Sequence, residues 1–162
     1  MFGEANSPST GLSRQDFIFV AVCALAYVAS VLIIPPYTPL IEPDSGGYIH
    51  FLPIRTALYP AFLYICRALG LDLIEITWVQ IGIFGLALAY LLTALLRTNF
   101  PRLLLGLFVA ALAANVLFSS FHRSILTESL YFSLSAVAIG LWIDYFRSRR
   151  LNFLILAGFT LG

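Results

Sequence analysis

Two short stretches of this chain hold the side chains that could do chemistry. The first is Glu42-Pro-Asp-Ser-Gly-Gly-Tyr48, followed by His50 and by Arg55-Thr-Ala-Leu-Tyr-Pro60. The second is Phe121-His-Arg-Ser-Ile-Leu-Thr-Glu128. A carboxylate such as Asp44 or Glu42 can take the proton of an attacking hydroxyl. An arginine such as Arg55 or Arg123 suits a phosphate, because its planar, permanently charged fork matches phosphate oxygens. Together these are the parts needed to move a group off a phosphate and onto a hydroxyl.

The setting gives the two clusters their weight. Sixty per cent of the residues are hydrophobic and ten per cent charged, against roughly a quarter charged in globular proteins. Runs at 17–35, 77–96 and 103–121 carry no charge and are long enough to cross the roughly 30 Å hydrocarbon core as helices. A fourth, uncharged from Ser129 to Ile143, must extend to about 124–146 to span, which puts Glu128 or Asp144 at the membrane boundary and Glu128 about one turn inside. Residues 151–162 begin a fifth apolar run, about 18 Å long as a helix and short of a full crossing. The expected fold class is all-α: a multi-pass transmembrane bundle of about four complete spans plus a truncated fifth, with the chain read as the front part of a longer protein. Residues 1–15 are expected to be a polar, disordered cytoplasmic tail, and 16–162 the transmembrane module. The first run is longer than a signal-peptide core and lacks a cleavage site, so it is read as an uncleaved span.

All nine basic residues are arginine. With the N-terminus in the cytoplasm, Arg14, Arg97, Arg102, Arg147, Arg149 and Arg150 lie inside and Arg55, Arg67 and Arg123 outside, which follows the positive-inside rule. Both chemical clusters then face the non-cytoplasmic side of a cell membrane, a bacterial inner membrane being the first expectation. The bilayer is the expected partner, and a net charge of +1 gives no reason to expect nucleic acid. Cys23 and Cys66 lie in different surroundings and are read as packing residues, without a disulfide. There is no zinc spacing, CxxC or Walker motif.

Six of the eight prolines lie from Pro35 to Pro60, so the first cluster is irregular where it begins. Asp44-Ser45-Gly46-Gly47 suits a sharp turn capping a helix that starts near Tyr48. Thr56 suits the cap of a second helix with Pro60 in its first turn, and Gly70 its stop. A short outer-face helix pair after the first span is therefore expected. Each residue also has a plainer reading. Asp44 can simply cap a helix, Glu42 sit in solvent, and Arg55 snorkel to the interface. Tyr48 and Tyr59 suit an aromatic belt, His122 and Arg123 an interfacial pair, and Asp72 and Glu75 solvated charges. Trp78 and Trp142 read as interface anchors. Gly82, Gly85, Ala89 and Thr93, and likewise Gly106, Ala110 and Ala114, form small-residue faces for helix packing, with Asn115 placed to bond across helices.

The order of these features resembles a family. One span, a loop with an acidic group and Asp-Ser-x-x-Tyr, Arg-x-x-x-Tyr-Pro opening an amphipathic helix, a span bearing Gln80, and a Thr127-Glu128 step into the fourth span are similar to the N-terminal module of the GT-C glycosyltransferases. That superfamily includes the protein O-mannosyltransferases and the aminoarabinose and lipid-A-modifying transferases. The likeness covers roughly residues 16–162. It implies transfer of a sugar from a polyprenyl-phosphate-type lipid donor to an acceptor of unspecified identity on the non-cytoplasmic face. It places Asp44 as the catalytic carboxylate, with Glu42, Tyr48, Arg55, His122, Arg123 and Glu128 as substrate-binding residues. No cofactor is required. Some relatives use a divalent cation, for which Asp44, Glu128 and His122 are the weak candidate set. The competing class is a non-catalytic module: an accessory subunit, an inactive remnant, or part of a transporter. A transporter would place its charges at mid-membrane, whereas here they gather at one surface.

Overall fold

The computed structural model describes residues 11–33, 39–50, 52 and 57–161, and the described residues are helical apart from turns and one isolated β-bridge. The helices are α1 (Arg14–Ile33), α2 (Ser45–Ile49), α3 (Leu58–Ala68), α4 (Leu73–Leu96), α5 (Arg102–Ala114), α6 (Val116–Arg123), α7 (Glu128–Ser148) and α8 (Leu151–Leu161). Three of them, α1, α4 and α7, are long and apolar enough to cross a membrane, or four if α5 and α6 together form one span. The exposed surface agrees, since large apolar side chains such as Leu86 and Phe159 face outward at 75% and 81% exposure. In water such a surface would be costly, and in lipid it is the ordinary outside.

Local signals set the helix ends. Ser13 and Asp16 cap α1 reciprocally, the Asp16 amide donating to Ser13 Oγ at 3.2 Å and the Ser13 amide to Asp16 Oδ2 at 2.8 Å. The helix thus starts at Arg14, inside the expected 1–15 tail, while residues 1–10 of that tail lie outside the described residues. Asp72 and Glu75, expected as solvated charges, form a complete capping box at the start of α4. That satisfies amide donors a helix otherwise leaves open. Gly70 takes φ +82° after α3. The Leu71 amide reaches the Cys66 carbonyl and the Gly70 amide the Arg67 carbonyl, so the expected glycine stop is a Schellman turn that a side chain would strain.

The core is built around α4. Val20, Tyr27 and Val31 of α1 pack against Ile81, Phe84, Leu88 and Leu92 of α4, with Leu105 and Val109 of α5 completing the layer. Gly85 permits the α1–α4 approach, for a Cβ there would stand 2.6 Å from Val28 Cγ2. Gly82 has nothing comparable near it and Gly106 only a 4.0 Å contact, so the small-residue faces act at single positions. On the other side α4 meets α7 through Ala87, Leu91 and Ala136. There Gly140 accepts the Tyr90 ring, which lies 2.6 Å from where a Cβ would be. Cys23 and Cys66 are buried free thiols, as expected.

Two expectations about the spans need correction. The third run does not form one straight helix, because α5 and α6 meet at Asn115 with a bend of 68°. Asn115 does not bond across helices there. Its side chain caps α6, accepting from the Phe118 amide at 3.0 Å, and an asparagine that satisfies a new helix start favours the break. The fourth run begins at Glu128 itself and ends at Ser148, so Glu128 opens α7 rather than lying a turn inside it. The acid taken into the bundle is Asp144, 4% exposed. Arg97 at the end of α4 pairs with it at 3.1 Å and the Tyr90 hydroxyl donates to it at 3.0 Å. A buried carboxylate is tolerated only with such partners.

Candidate functional site

The bundle has two distinct ends. The end of α1 meets the start of α4, and this loop end also holds α2, α3, α6 and the start of α7. The opposite, arginine end holds Arg97, Asp144 and the start of α1 beside α5. The candidate residues are at the loop end.

Two backbone bonds join the two sequence clusters. The Leu40 amide donates to the Arg123 carbonyl at 3.0 Å, and the Ile125 amide donates to the Leu40 carbonyl at 3.2 Å. They form the parallel bridge Leu40–Ser124. Segments far apart in sequence are therefore held side by side, just before Asp44 on one strand of chain and just before Glu128 on the other.

Below that bridge lies a buried polar network. Tyr59 of α3, 1% exposed, donates its hydroxyl to Gln80 Oε1 at 2.6 Å. The Gln80 amide nitrogen, on fully buried α4 backbone, donates to the carbonyls of Ser124 at 3.2 Å and His122 at 3.4 Å. One glutamine thus ties α3, α4 and the loop after α6 with each of its polar atoms used. Burial, with help from the negative charge of Glu128, pushes the Tyr59 hydroxyl above the usual phenol range, so it stays a donor. Tyr48 stacks edge-on against Tyr59 with ring centroids 5.2 Å apart and is buried. Both tyrosines, read as belt residues, are core residues of the loop end, packed with Leu63, Cys66, Ile76 and Ile125.

The acidic candidates are placed differently. Asp44 is exposed at the start of α2. It holds the N-cap position, but its carboxylate makes no capping bond, and α2 begins at Ser45 rather than Tyr48. Ser45 is buried instead, its hydroxyl accepting from the Glu42 amide at 2.9 Å. Glu42 is exposed and shapes this turn through its backbone. Glu128 is half-buried at the head of α7, close enough to Tyr59 to act on it electrostatically. Arg55 and the expected cap Thr56 lie outside the described residues.

His122 and Arg123 are not an interfacial pair. His122 is fully buried among Phe84, Phe118 and Phe132, the nearest ring centroid being Phe84 at 4.3 Å. Its Nδ1 meets Ser129 Oγ at 2.8 Å. Its Nε2 has no hydrogen-bond partner among the described residues. The imidazole faces the α1–α4–α6 core and not the surface where Asp44 stands. The sequence places consecutive residues on α6, and the helix turns them to different sides. Among the described residues no three His, Cys, Asp or Glu side chains converge in a way that could hold a metal ion.

Arg123 faces a cavity of about 340 Å³ lined by Val31, Leu32, Thr77, Trp78 and Ile81. Leu32 and Trp78 are exposed, so the cavity is open on the side of the bundle. Arg123 itself is 8% exposed and is the charged group among the described, mostly apolar lining residues. Thr77 spends its hydroxyl on the Ile74 carbonyl at 2.7 Å. Set against known proteins, the chain matches no family model, no curated protein and no solved structure. The site therefore rests on its own geometry.

Sequence reasoning missed Tyr59, Ser124 and Ser129 as organising residues. Serines give no signal of their own. Gln80 stood out as an amide inside an apolar run, and such a group in a dry interior must find partners.

Proposed function

We propose that this chain is a membrane glycosyltransferase module of the GT-C kind, moving a sugar from a polyprenyl-phosphate-type lipid to an acceptor on the non-cytoplasmic face. The observation that carries the reading is buried Arg123 in an apolar cavity that opens sideways between α1 and α4. A lipid phosphate has the two parts that such a cavity takes, an anion for the guanidinium and a hydrocarbon tail for the lining. The bridge of Leu40 to Ser124 supports it by bringing the Asp44 segment to the same end. In this reading α1, α4, the bent α5–α6 pair and α7 are the four spans, and α8 begins a fifth. Helices α2 and α3 ride on the outer face, and the arginine end faces the cytoplasm.

Asp44 is the base, taking the proton of the acceptor hydroxyl as it attacks the sugar carbon; the bond from that carbon to the phosphate oxygen breaks, and Arg123 holds the phosphate that leaves. Arg55 is a second phosphate contact. Tyr48 and Glu42 shape the turn that presents Asp44, and Glu128 contributes a carboxylate from the facing loop. His122 acts through packing and Ser129 rather than by touching substrate. No step needs a cation.

The test uses the full-length protein in vesicles with a radiolabelled polyprenyl-phosphate sugar. Asp44→Asn is expected to cut transfer by at least about 100-fold with donor binding retained. Arg123→Gln is expected to weaken donor binding about tenfold or more. Full transfer by Asp44→Asn in correctly inserted protein sinks the catalytic reading. Unchanged donor binding by Arg123→Gln removes the cavity as the donor site.

A further inference from the structure

We propose that the groove between α4 and α7 at the arginine end binds one anionic phospholipid. Two cavities are lined by residues of these two helices and the turns that follow them. The first, about 270 Å³, is walled by α5 as well and lined by apolar residues that include Leu91 and Leu95 of α4, Leu104, Leu105 and Phe108 of α5 and Ile139 of α7. The second, about 480 Å³, is lined by Arg97, Thr98, Ile143, Phe146 and Arg147. Their linings follow one another along the chain. Leu91 and Leu95 stand at i and i+4 on α4, with Arg97 and Thr98 in the turn that follows it, and Ile139, Ile143 and Phe146 stand at i, i+4 and i+7 on α7. Residues so spaced share one helix face. Both helices run from the loop end to the arginine end, so the trough is apolar first and basic at its mouth.

The charges at the mouth come from both helices. Arg97 stands at the end of α4, partly neutralised by Asp144 at 3.1 Å and fixed in place by it. Arg147 lies in the last turn of α7 and is exposed. Arg149 takes a left-handed backbone, φ 57°, which sets its guanidinium over the Phe146 ring at 5.8 Å. Phe146 is itself a wall of the groove and 61% exposed. Asp144 turns its carboxylate to Arg97 and Tyr90, so the mouth keeps a positive excess from Arg147 and Arg149. A soluble anion would use the mouth alone. A phospholipid uses both halves, its phosphate meeting the arginines and an acyl chain following the trough. This site does not depend on the glycosyltransferase reading, since it lies at the other end of the bundle.

The protein has two tryptophans. Trp142 stands one turn before Phe146 on α7 and is 49% exposed, while Trp78 is at the loop end. A Trp78→Phe background therefore reports on the groove. In detergent–lipid micelles, brominated phosphatidylglycerol is expected to quench Trp142 at about one-tenth the mole fraction that brominated phosphatidylcholine needs. Arg147→Gln with Arg149→Gln is expected to bring the two lipids to the same curve, with helical circular dichroism unchanged. Equal quenching by both lipids in the parent protein overturns the proposal. So does lipid selectivity retained in the double variant, or relief of the quenching by inorganic phosphate, which would mean the mouth reads phosphate without the lipid.

Discussion

The two ends of the bundle are held by different chemistry. At the arginine end the described contacts are charged: Arg97 with Asp144 between α4 and α7, and Arg102 with Asp16 between α5 and α1 at 2.7 Å. At the loop end the described buried contacts are neutral, namely Tyr59 to Gln80, Gln80 to two carbonyls, and His122 to Ser129. The difference lies in how burial is met at each end. An arginine paired with a buried carboxylate is committed to structure. At the loop end the described buried polar contacts are instead made by neutral donors and acceptors, which carry no charge into the dry interior.

The comparison can be broken from either end. The largest effect is expected at Asp144, where Arg97→Ala leaves a buried carboxylate with only the Tyr90 hydroxyl. That should cost about 3 kcal/mol, read as a fall in thermal midpoint in detergent, with the loop end intact. Gln80→Leu should follow at about 2 kcal/mol, because it leaves the buried Tyr59 hydroxyl without its acceptor. If the loop end is a site, this variant also lowers donor affinity, whereas Arg97→Ala does not.

A pH series sharpens the same contrast. The Tyr59 hydroxyl is raised in the folded state, so its contribution is complete below the unfolded phenol value of about 10 and is lost as pH climbs above it. Wild-type protein should lose stability between roughly pH 10 and 11 more steeply than Tyr59→Phe. Parallel curves for the two would refute a buried, protonated Tyr59. The smallest change is expected for Arg102→Gln, an exposed pair at the arginine end; its thermal midpoint should be indistinguishable from that of wild type. A large shift there would mean that the α1–α5 contact matters more than its exposure indicates.

Much of the frame was legible in the residues. Long apolar runs marked α1, α4 and α7, and Gly70 marked its turn, because length, hydropathy and positive φ are local demands. The break at Asn115 was less legible. Its apolar flanks read as one continuous span, and only a cap competing with helix continuation divides them. The orientation of His122 was hidden as well. Neighbouring residues in a short helix diverge by about 100°, and which of them meets the core depends on where α1 and α4 already stand. Asp72 with Glu75 did carry a capping signature, three residues apart before an apolar run, and reading them as solvated charges passed over it.

By itself, then, the sequence determined an all-helical chain with helices able to cross a membrane, and it set apart two clusters of ionisable residues between the apolar runs. Those features follow from composition and from contacts a few residues long. Only the tertiary structure decided that Leu40 pairs with Ser124, that Gln80 joins three elements, and that Arg123 rather than His122 faces a cavity. Each of these depends on groups far apart along the chain, 21 positions for Tyr59 with Gln80, 44 for Gln80 with Ser124 and more for Leu40, where geometry is set by the packing of α4 against its neighbours and not by any local preference.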